Sequence, residues 1–511
     1  MPSAESSSSS WPVWGAAGGA TVAALALYVR TLAPSITWAH HGADSGELLA
    51  AVVTNGVPHP PGYPLYMILL GFWLNLTGGT LPDTGLAWRG NLLSAACAAL
   101  SVGVTVLVLG HLLQRDPWNW LWALLAGLAW AVSPLLWSQA LITEVYALHA
   151  LLVALLGWAL LCREGRSLWL APILVVGFAH HLTFVLLMPA TVYYLWTTTE
   201  ERPLTKARRI GLLLAVSGAL GALFYLRTPL VAGAQPPPPV NWGYADNVEG
   251  FWWLVSGSAY RSYLFNLEAK DMLGRVASWA YTVTTQYTPV GLGIALIGLS
   301  YLDGNAPRIR NFSLLWIVPV SLYSISYYTR DSEIYLLSVS WLMAIWIGIG
   351  LAVLAGWLGA RWVNAPWRTI VAAGGAVGVA ILLALHLPQT TLRHDREATA
   401  FLTNVYDVVE PGSIIITTGD STTFAVWYGA WGDGSLLAAA PDAVIVNYSL
   451  YQFDWYRRLL DNLYPTVPNV GLSVSAMVDS NAGKRPIYLT EKIPVIPEER
   501  LFPAGPLWRV E

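Results

Sequence analysis

Asp44 and Glu47 lie three residues apart, and His59 follows Glu47 by twelve, in the runs Ala43-Asp44-Ser45-Gly46-Glu47 and His59-Pro60-Pro61-Gly62-Tyr63-Pro64. A carboxylate can take a proton from a hydroxyl, and a histidine can hold an anion or move a proton near neutral pH. The same three groups could ligate a divalent cation, although they lack the fixed spacing of a known ligand set. They sit beside apolar sequence in a chain that is only 11% charged. Carboxylates next to hydrocarbon are expensive and tend to mark function. A plainer reading competes. Asp44 is also a good N-cap for the apolar run that follows, and Glu47 has the spacing of a capping box. Glu47 therefore holds a metal, holds Asp44, or only caps.

The elements that must position these groups are membrane helices. The 511 residues are 55% hydrophobic, include 27 tryptophans and have a mean hydropathy of +0.51, which excludes an ordinary soluble enzyme. The net charge of −3 offers no basic surface for nucleic acid. Cys97 and Cys162 both fall in apolar segments and read as small core residues. Apolar stretches predict about eleven spans, at about 14–35, 91–114, 119–138, 145–162, 168–181, 183–197, 210–229, 285–303, 311–328, 334–357 and 369–387. The fifth and sixth are short and meet at His180-His181. Reading them as two crossings leaves the basic loops before residue 168 and after residue 197 on one side, as short cytoplasmic loops prefer. The N-terminus is then cytoplasmic, behind a Ser-rich tail over about residues 1–13. The apolar segment 63–79 is an interfacial or re-entrant helix, because a crossing there would invert every later loop. Two long loops, about 36–90 and about 231–284, face outward. The second carries Gln235-Pro236-Pro237-Pro238-Pro239 and the tryptophans Trp242, Trp252 and Trp253, which read as interfacial anchors.

The membrane region, about 14–388, gives way to a polar segment, about 389–511. Ile414-Ile415-Ile416-Thr417, Ala443-Val444-Ile445-Val446 and Pro486-Ile487-Tyr488-Leu489 read as strands. Helices near Thr422 and from Trp455 to Leu463 lie between them. The alternation predicts a small extracytoplasmic α/β domain with a mainly parallel sheet. Asp420 follows its first strand, at the edge where such sheets bind ligands, or simply as an N-cap.

Further candidates cluster at the outer ends of the spans. Glu144 and Tyr146 begin the fourth, and Glu144 either caps it or faces a substrate. His180 and His181 lie where histidine tends to face a cavity. Arg227 ends the seventh span and Arg330 precedes the tenth. Each either snorkels to headgroups or clamps a phosphate, and Arg330 could instead pair with Asp331.

The first outer loop resembles the GT-C class of membrane glycosyltransferases. It is most similar to a bacterial multi-pass family of unknown function related to the eukaryotic multi-pass protein O-mannosyltransferase. The likeness rests on Asp44-Ser45-Gly46-Glu47 and His59-Pro60-Pro61-Gly62-Tyr63-Pro64-Leu65-Tyr66. Trp137-Ser138-Gln139, Glu144-Val145-Tyr146 and His180-His181-Leu182-Thr183 support it. It covers about residues 15–230 and thins out beyond. The resemblance implies a GT-C-like α-helical polytopic membrane protein with a small C-terminal α/β domain. It implies transfer of a sugar from a polyprenyl-phosphate donor to a hydroxyl on a protein or glycan at the outer face. Asp44 matches the family's acidic residue, a base or metal ligand, with Glu47 beside it. His59, Tyr63, Glu144, Tyr146, His180, His181, Arg227 and Arg330 are the expected substrate contacts, and the metal question stays open among Asp44, Glu47 and His59. Two other classes compete: a flippase for lipid-linked glycans, and a non-catalytic assembly subunit. A flippase needs polar groups lining a path to both leaflets. The charges here gather at the outer ends, which favours a one-sided site.

Overall fold

The computed structural model describes residues 11–164, 168–264, 266, 268–329 and 331–511. Arg330 and most of the expected N-terminal tail lie outside the described residues. The chain is mostly helical, with one small sheet near its C-terminus.

The first helices are α1 (Trp11–Thr31), α2 (Asp44–Val53), α3 (Pro64–Thr80) and α4 (Leu86–Leu112). Each predicted span falls on a helix, but the lengths differ. Trp11–Thr31, Leu86–Leu112, Pro203–Ala232, Ser332–Arg361 and Trp367–Thr390 are long and apolar enough to cross a bilayer. Others are shorter for local reasons. The predicted 119–138 span breaks into Asn119–Ala131 and Pro134–Gln139, because proline cannot donate to the preceding turn. Thr288–Asn305 and Pro307–Ser326 are long enough but less apolar, with Asp303, Arg308 and Arg310 in their facing ends. The apolar run at His180-His181 also breaks. One helix ends at His180, His181 is extended at φ −146°, and a 3₁₀ turn leads into Met188–Thr197.

The central helix is Ser332–Arg361, buried along 94% of its apolar window. Its indole Trp341 donates to Thr105 of α4 and packs at a tilt on Trp316. Large apolar side chains point outward elsewhere, including Val22, Leu212, Leu220, Val290 and Val377. Such a surface needs lipid tails to cover it. In α3, Ile68, Phe72 and Leu76 form one exposed stripe, while Tyr66, Met67, Leu70 and Leu74 pack inward.

Hydrogen bonds separate the two ends of the bundle. At one end, Asn91 donates to the Ala33 carbonyl (3.0 Å), Trp137 to Thr31 (3.0 Å), the Leu135 amide to Gln286 (3.0 Å) and His40 to the Thr390 carbonyl (2.9 Å). At the other, Arg368 pairs with Asp116 (2.7 Å) and Asn311 bonds Tyr193 (2.9 Å). The helix ends expected outside thus gather together, and so do those expected inside.

The C-terminal sheet has strands β1 (Ile414–Thr417), β2 (Val444–Asn447), β3 (Ile487–Leu489), β4 (Leu501–Ala504) and β5 (Leu507–Val510), in the order β2-β1-β3-β5-β4. The first three are parallel, and their unbroken apolar runs are buried on both faces. β4 and β5 form an antiparallel hairpin on one edge. Its short strands, one of them interrupted by Pro503, gave no strong strand signal.

This domain is docked on the outer loops. Thr37 donates to the Asp395 carboxylate, and Trp38 to the Ser421 carbonyl (2.9 Å). Arg458 pairs with Asp246 (2.8 Å) and lies over the Tyr244 ring. Trp455 packs on Trp242 and Trp253. Backbones approach closely at Gly46 of α2, where an added Cβ would lie 2.3 Å from the Phe424 carbonyl oxygen. Gly46→Ala should therefore lower the thermal midpoint. Overpacking costs about 1–3 kcal/mol, against roughly 1 kcal/mol gained in helix propensity. A midpoint equal to or above wild type in a thermal melt would contradict this packing.

Candidate functional site

The site forms where α2, the turn before α3 and the C-terminal domain meet. Asp44 is the first helical residue of α2 and Glu47 lies one turn on. Neither caps the helix: the N-cap is Ala43, and no side chain accepts a bond there. The capping reading fails for a physical reason. Glu47 is fully buried and spends both oxygens on His59, accepting its backbone N–H (3.0 Å) with Oε1 and its ring N–H at Nδ1 with Oε2. A carboxylate only accepts, so Nδ1 carries the proton. The other ring nitrogen, Nε2, then faces Asp44, 3.7 Å from Oδ2. The Asp44 side chain keeps 37% of its surface open.

The electrostatics follow from this sandwich. Burial alone would lower the His59 imidazole, but the charges of Glu47 and Asp44 outweigh it and hold the ring up at about 10. Withdrawal from water raises Asp44. The His59 cation opposes that rise, while Glu47, and Asp331 further off, reinforce it, and the result is about 6. Asp44 is thus ionised at neutral pH yet basic enough to accept a proton.

Around the sandwich runs a wall of rings. His59 meets the edge of Tyr63 (5.2 Å between centroids), with Trp242 (6.3 Å) and Tyr260 (6.4 Å) beyond. Tyr63 stacks on His181 (5.8 Å), His181 touches Tyr146 (5.6 Å), and both meet Tyr335. Tyr63 sits at φ +38°, a conformation that costs a bulky residue energy and collects at functional sites. Gly62 before it, at φ +86°, makes the turn.

The structure brings most of the expected residues to this wall. Glu144 gives one oxygen to the Val145 amide (3.0 Å), and its Oε1 is buried without a partner among the described residues. Burial first, then the charge of Asp44, push its carboxyl well above the usual range. His180 lies behind the wall, donating from Nε2 to the Val145 carbonyl (2.9 Å). His181 accepts from Thr183 at Nδ1. Arg227 is elsewhere. It donates to Asn55 (2.8 Å) and to the Gly56 carbonyl (3.3 Å), past the far end of α2 from Asp44. Asp420 begins a helix whose N-cap is Gly419, and its side chain caps nothing. Burial and then the Asp44 charge raise it.

Sequence reasoning missed what Trp242, Tyr260 and Tyr335 contribute, while His41 was already a candidate loop histidine. Trp242, expected as a membrane anchor, is buried between His59 and Trp455. Tyr260 feels the charges of Asp44, Glu47 and Asp420. His41 pairs with Glu333 at 3.8 Å. Tyr260 and Tyr335 belong to no motif, so only folding brings them here. As a metal site the trio fits poorly. Both faces of His59 are turned to carboxylates, and among the described residues no group of three or more His, Cys, Asp and Glu is arranged to hold a metal ion.

A carboxyl held above its usual range favours the fold while protonated, and that gain is lost as pH rises through its titration. Glu144→Gln keeps the shape and removes the titration. Its thermal midpoint relative to wild type should be higher at pH 8 than at pH 5. An identical difference at both pH values would contradict the burial assigned to Glu144.

Residues 44–205 match the family of the protein O-mannosyl-transferase TMEM260 N-terminal domain. Protein O-mannosyl-transferase TMEM260 of Mus musculus is 24% identical over 89% of this chain and 67% of its own length. The Dictyostelium discoideum protein O-mannosyl-transferase tmem260 is 20% identical over 91% of this chain and 62% of its own. The chain thus spans about two thirds of the length of these relatives. A crystal structure of ArnT from Cupriavidus metallidurans, bound to undecaprenyl phosphate, superposes with a TM-score of 0.54 at 12% identity. It covers 96% of this chain and 97% of ArnT. The chain is therefore a multi-pass membrane protein similar to the TMEM260 protein O-mannosyl-transferases along most of its length, with the GT-C fold it shares with ArnT.

Proposed function

We propose that this protein is a membrane glycosyltransferase that moves a sugar, a hexose such as mannose, from a polyprenyl-phosphate carrier to a hydroxyl on a protein or glycan. The observation that carries the reading is Asp44: a partly open carboxylate, basic enough to accept a proton, at the end of the bundle where the polar groups collect. Similarity to named O-mannosyl-transferases supports the reaction class, and the undecaprenyl phosphate bound to ArnT supports the donor class.

In this reading the acceptor hydroxyl gives its proton to Asp44 while its oxygen attacks the anomeric carbon. The bond from that carbon to the phosphate oxygen breaks, and polyprenyl phosphate leaves with the electron pair. One displacement inverts the configuration. The buried rings Tyr63 and His181 and the half-buried rings Tyr146, Tyr260 and Tyr335 limit water at the reacting centre. A divalent ion has no step here. The site faces the outer side, with the N-terminus inside and the C-terminal domain outside. The flippase alternative needs a polar path to the other leaflet. The charged cluster of Asp44, Glu47, His59 and Glu144 is instead confined to one end of the bundle.

The test is sugar transfer in membranes expressing the full chain, with a radiolabelled polyprenyl-phosphate hexose. Asp44→Asn should lower transfer by about 10²–10⁴ without changing expression or membrane insertion. Wild-type transfer by the variant would remove Asp44 as the base.

A further inference from the structure

We infer that His59, locked by Glu47, is the positioning residue that keeps Asp44 ionised and aimed at the acceptor, and that Glu47 acts only through His59. The inference rests on Asp44 as the base but makes a separate claim about what maintains it.

Glu47 has no exposed side-chain surface and so cannot touch a substrate. Both its oxygens are taken by one residue, His59, through backbone and ring. That double attachment fixes which nitrogen faces Glu47 and therefore which faces Asp44. The logic resembles catalytic triads, where a third group orients the histidine. The roles differ here, because the histidine is not the base. Held between two carboxylates it keeps both ring protons, so it cannot accept another. At 3.7 Å from Oδ2, Nε2–H acts on Asp44 by charge and direction. The ring has little freedom to turn away, with Tyr63, Trp242 and Tyr260 all edge-on to it.

The proton balance is simple. Before turnover Asp44 is a carboxylate and His59 an imidazolium. The hydroxyl proton moves to Asp44, and His59 is unchanged. Asp44 then releases that proton to water through its open surface. Other groups also act on the pair. Glu47, Asp331 and His41 act on Asp44, and Glu144 acts on His59. Tyr260 and Asp420 feel the Asp44 charge, and His181 feels His59. Among the charges acting on Asp44, His59 is the largest.

The experiment uses the full chain in nanodiscs. The Asp44 carboxyl is titrated by infrared spectroscopy, with its band assigned by loss in Asp44→Asn. In parallel, kcat/KM for transfer from a polyprenyl-phosphate hexose is followed against pH. Wild type should show half-protonation and an acidic limb near pH 6. In His59→Gln both should move up, by about one pH unit. His59→Gln leaves Glu47 charged and unpaired, which can prevent folding. The double variant Glu47→Gln, His59→Gln removes both charges and serves as the second test. Its titration should also move up, because His59 outweighs Glu47 at Asp44. Its transfer rate should be no lower than that of His59→Gln alone, since Glu47 has no other route to the reaction. A folded variant with less transfer but an unmoved titration would overturn the inference and reduce His59 to scaffolding. A moved titration in a protein that transfers no sugar would uphold the inference and remove the transferase reading instead.

Discussion

A buried carboxylate must find donors, and Glu47 finds both of its donors on His59. The rest of the site depends on that bond pair. It ties the first turn of α2 to the start of the turn that leads into α3, across twelve residues of chain. It fixes the orientation of the His59 ring, and with it the nitrogen presented to Asp44. It places one positive charge between two negative ones in a region of few charges. Breaking such a buried set from one side leaves an uncompensated charge, which is far costlier than replacing all of it. The arrangement therefore tolerates little drift, as a site for abstracting a proton requires.

The C-terminal domain completes the enclosure. Its helix Asp420–Trp427 lies against α2 so closely that Gly46 has no room for a side chain. The polar and aromatic contacts through Trp38, Arg458 and Trp455 hold the same face down. Asp420, just past the carboxyl end of β1, thereby lies within reach of the Asp44 charge, at the sheet edge that commonly binds ligands in α/β folds. An acceptor would approach between a soluble domain and a lipid surface, suiting a reaction that joins a lipid-borne donor to a polar hydroxyl.

Much of this was legible before folding. The apolar runs marked the helices, and the strands at Ile414, Val444 and Ile487 declared themselves through short, largely apolar runs. The pairing of Asp44 with His59 was foreshadowed by two motifs in one loop. What was illegible has a common cause. Whether Glu47 caps a helix or grips a histidine depends on a partner twelve residues away, and local spacing fits both equally. Trp242 looked like an anchor because tryptophan near a membrane commonly is one, and only the docking of Trp455 buries it. Tyr260 and Tyr335 reach the site from distant segments with no spacing to betray them. The β4–β5 hairpin escaped notice because a proline on an edge strand reads as a breaker.

The central claim is that a lipid phosphate meets Asp44 beneath the C-terminal domain. A cryo-EM structure of the Asp44→Asn protein in nanodiscs with polyprenyl-phosphate hexose tests it most directly. The account predicts the phosphate and sugar beside position 44 and His59, within the wall formed by Tyr63, Tyr146 and Tyr260. A headgroup bound at the opposite end of the bundle, near Asp116 and Arg368, would contradict it.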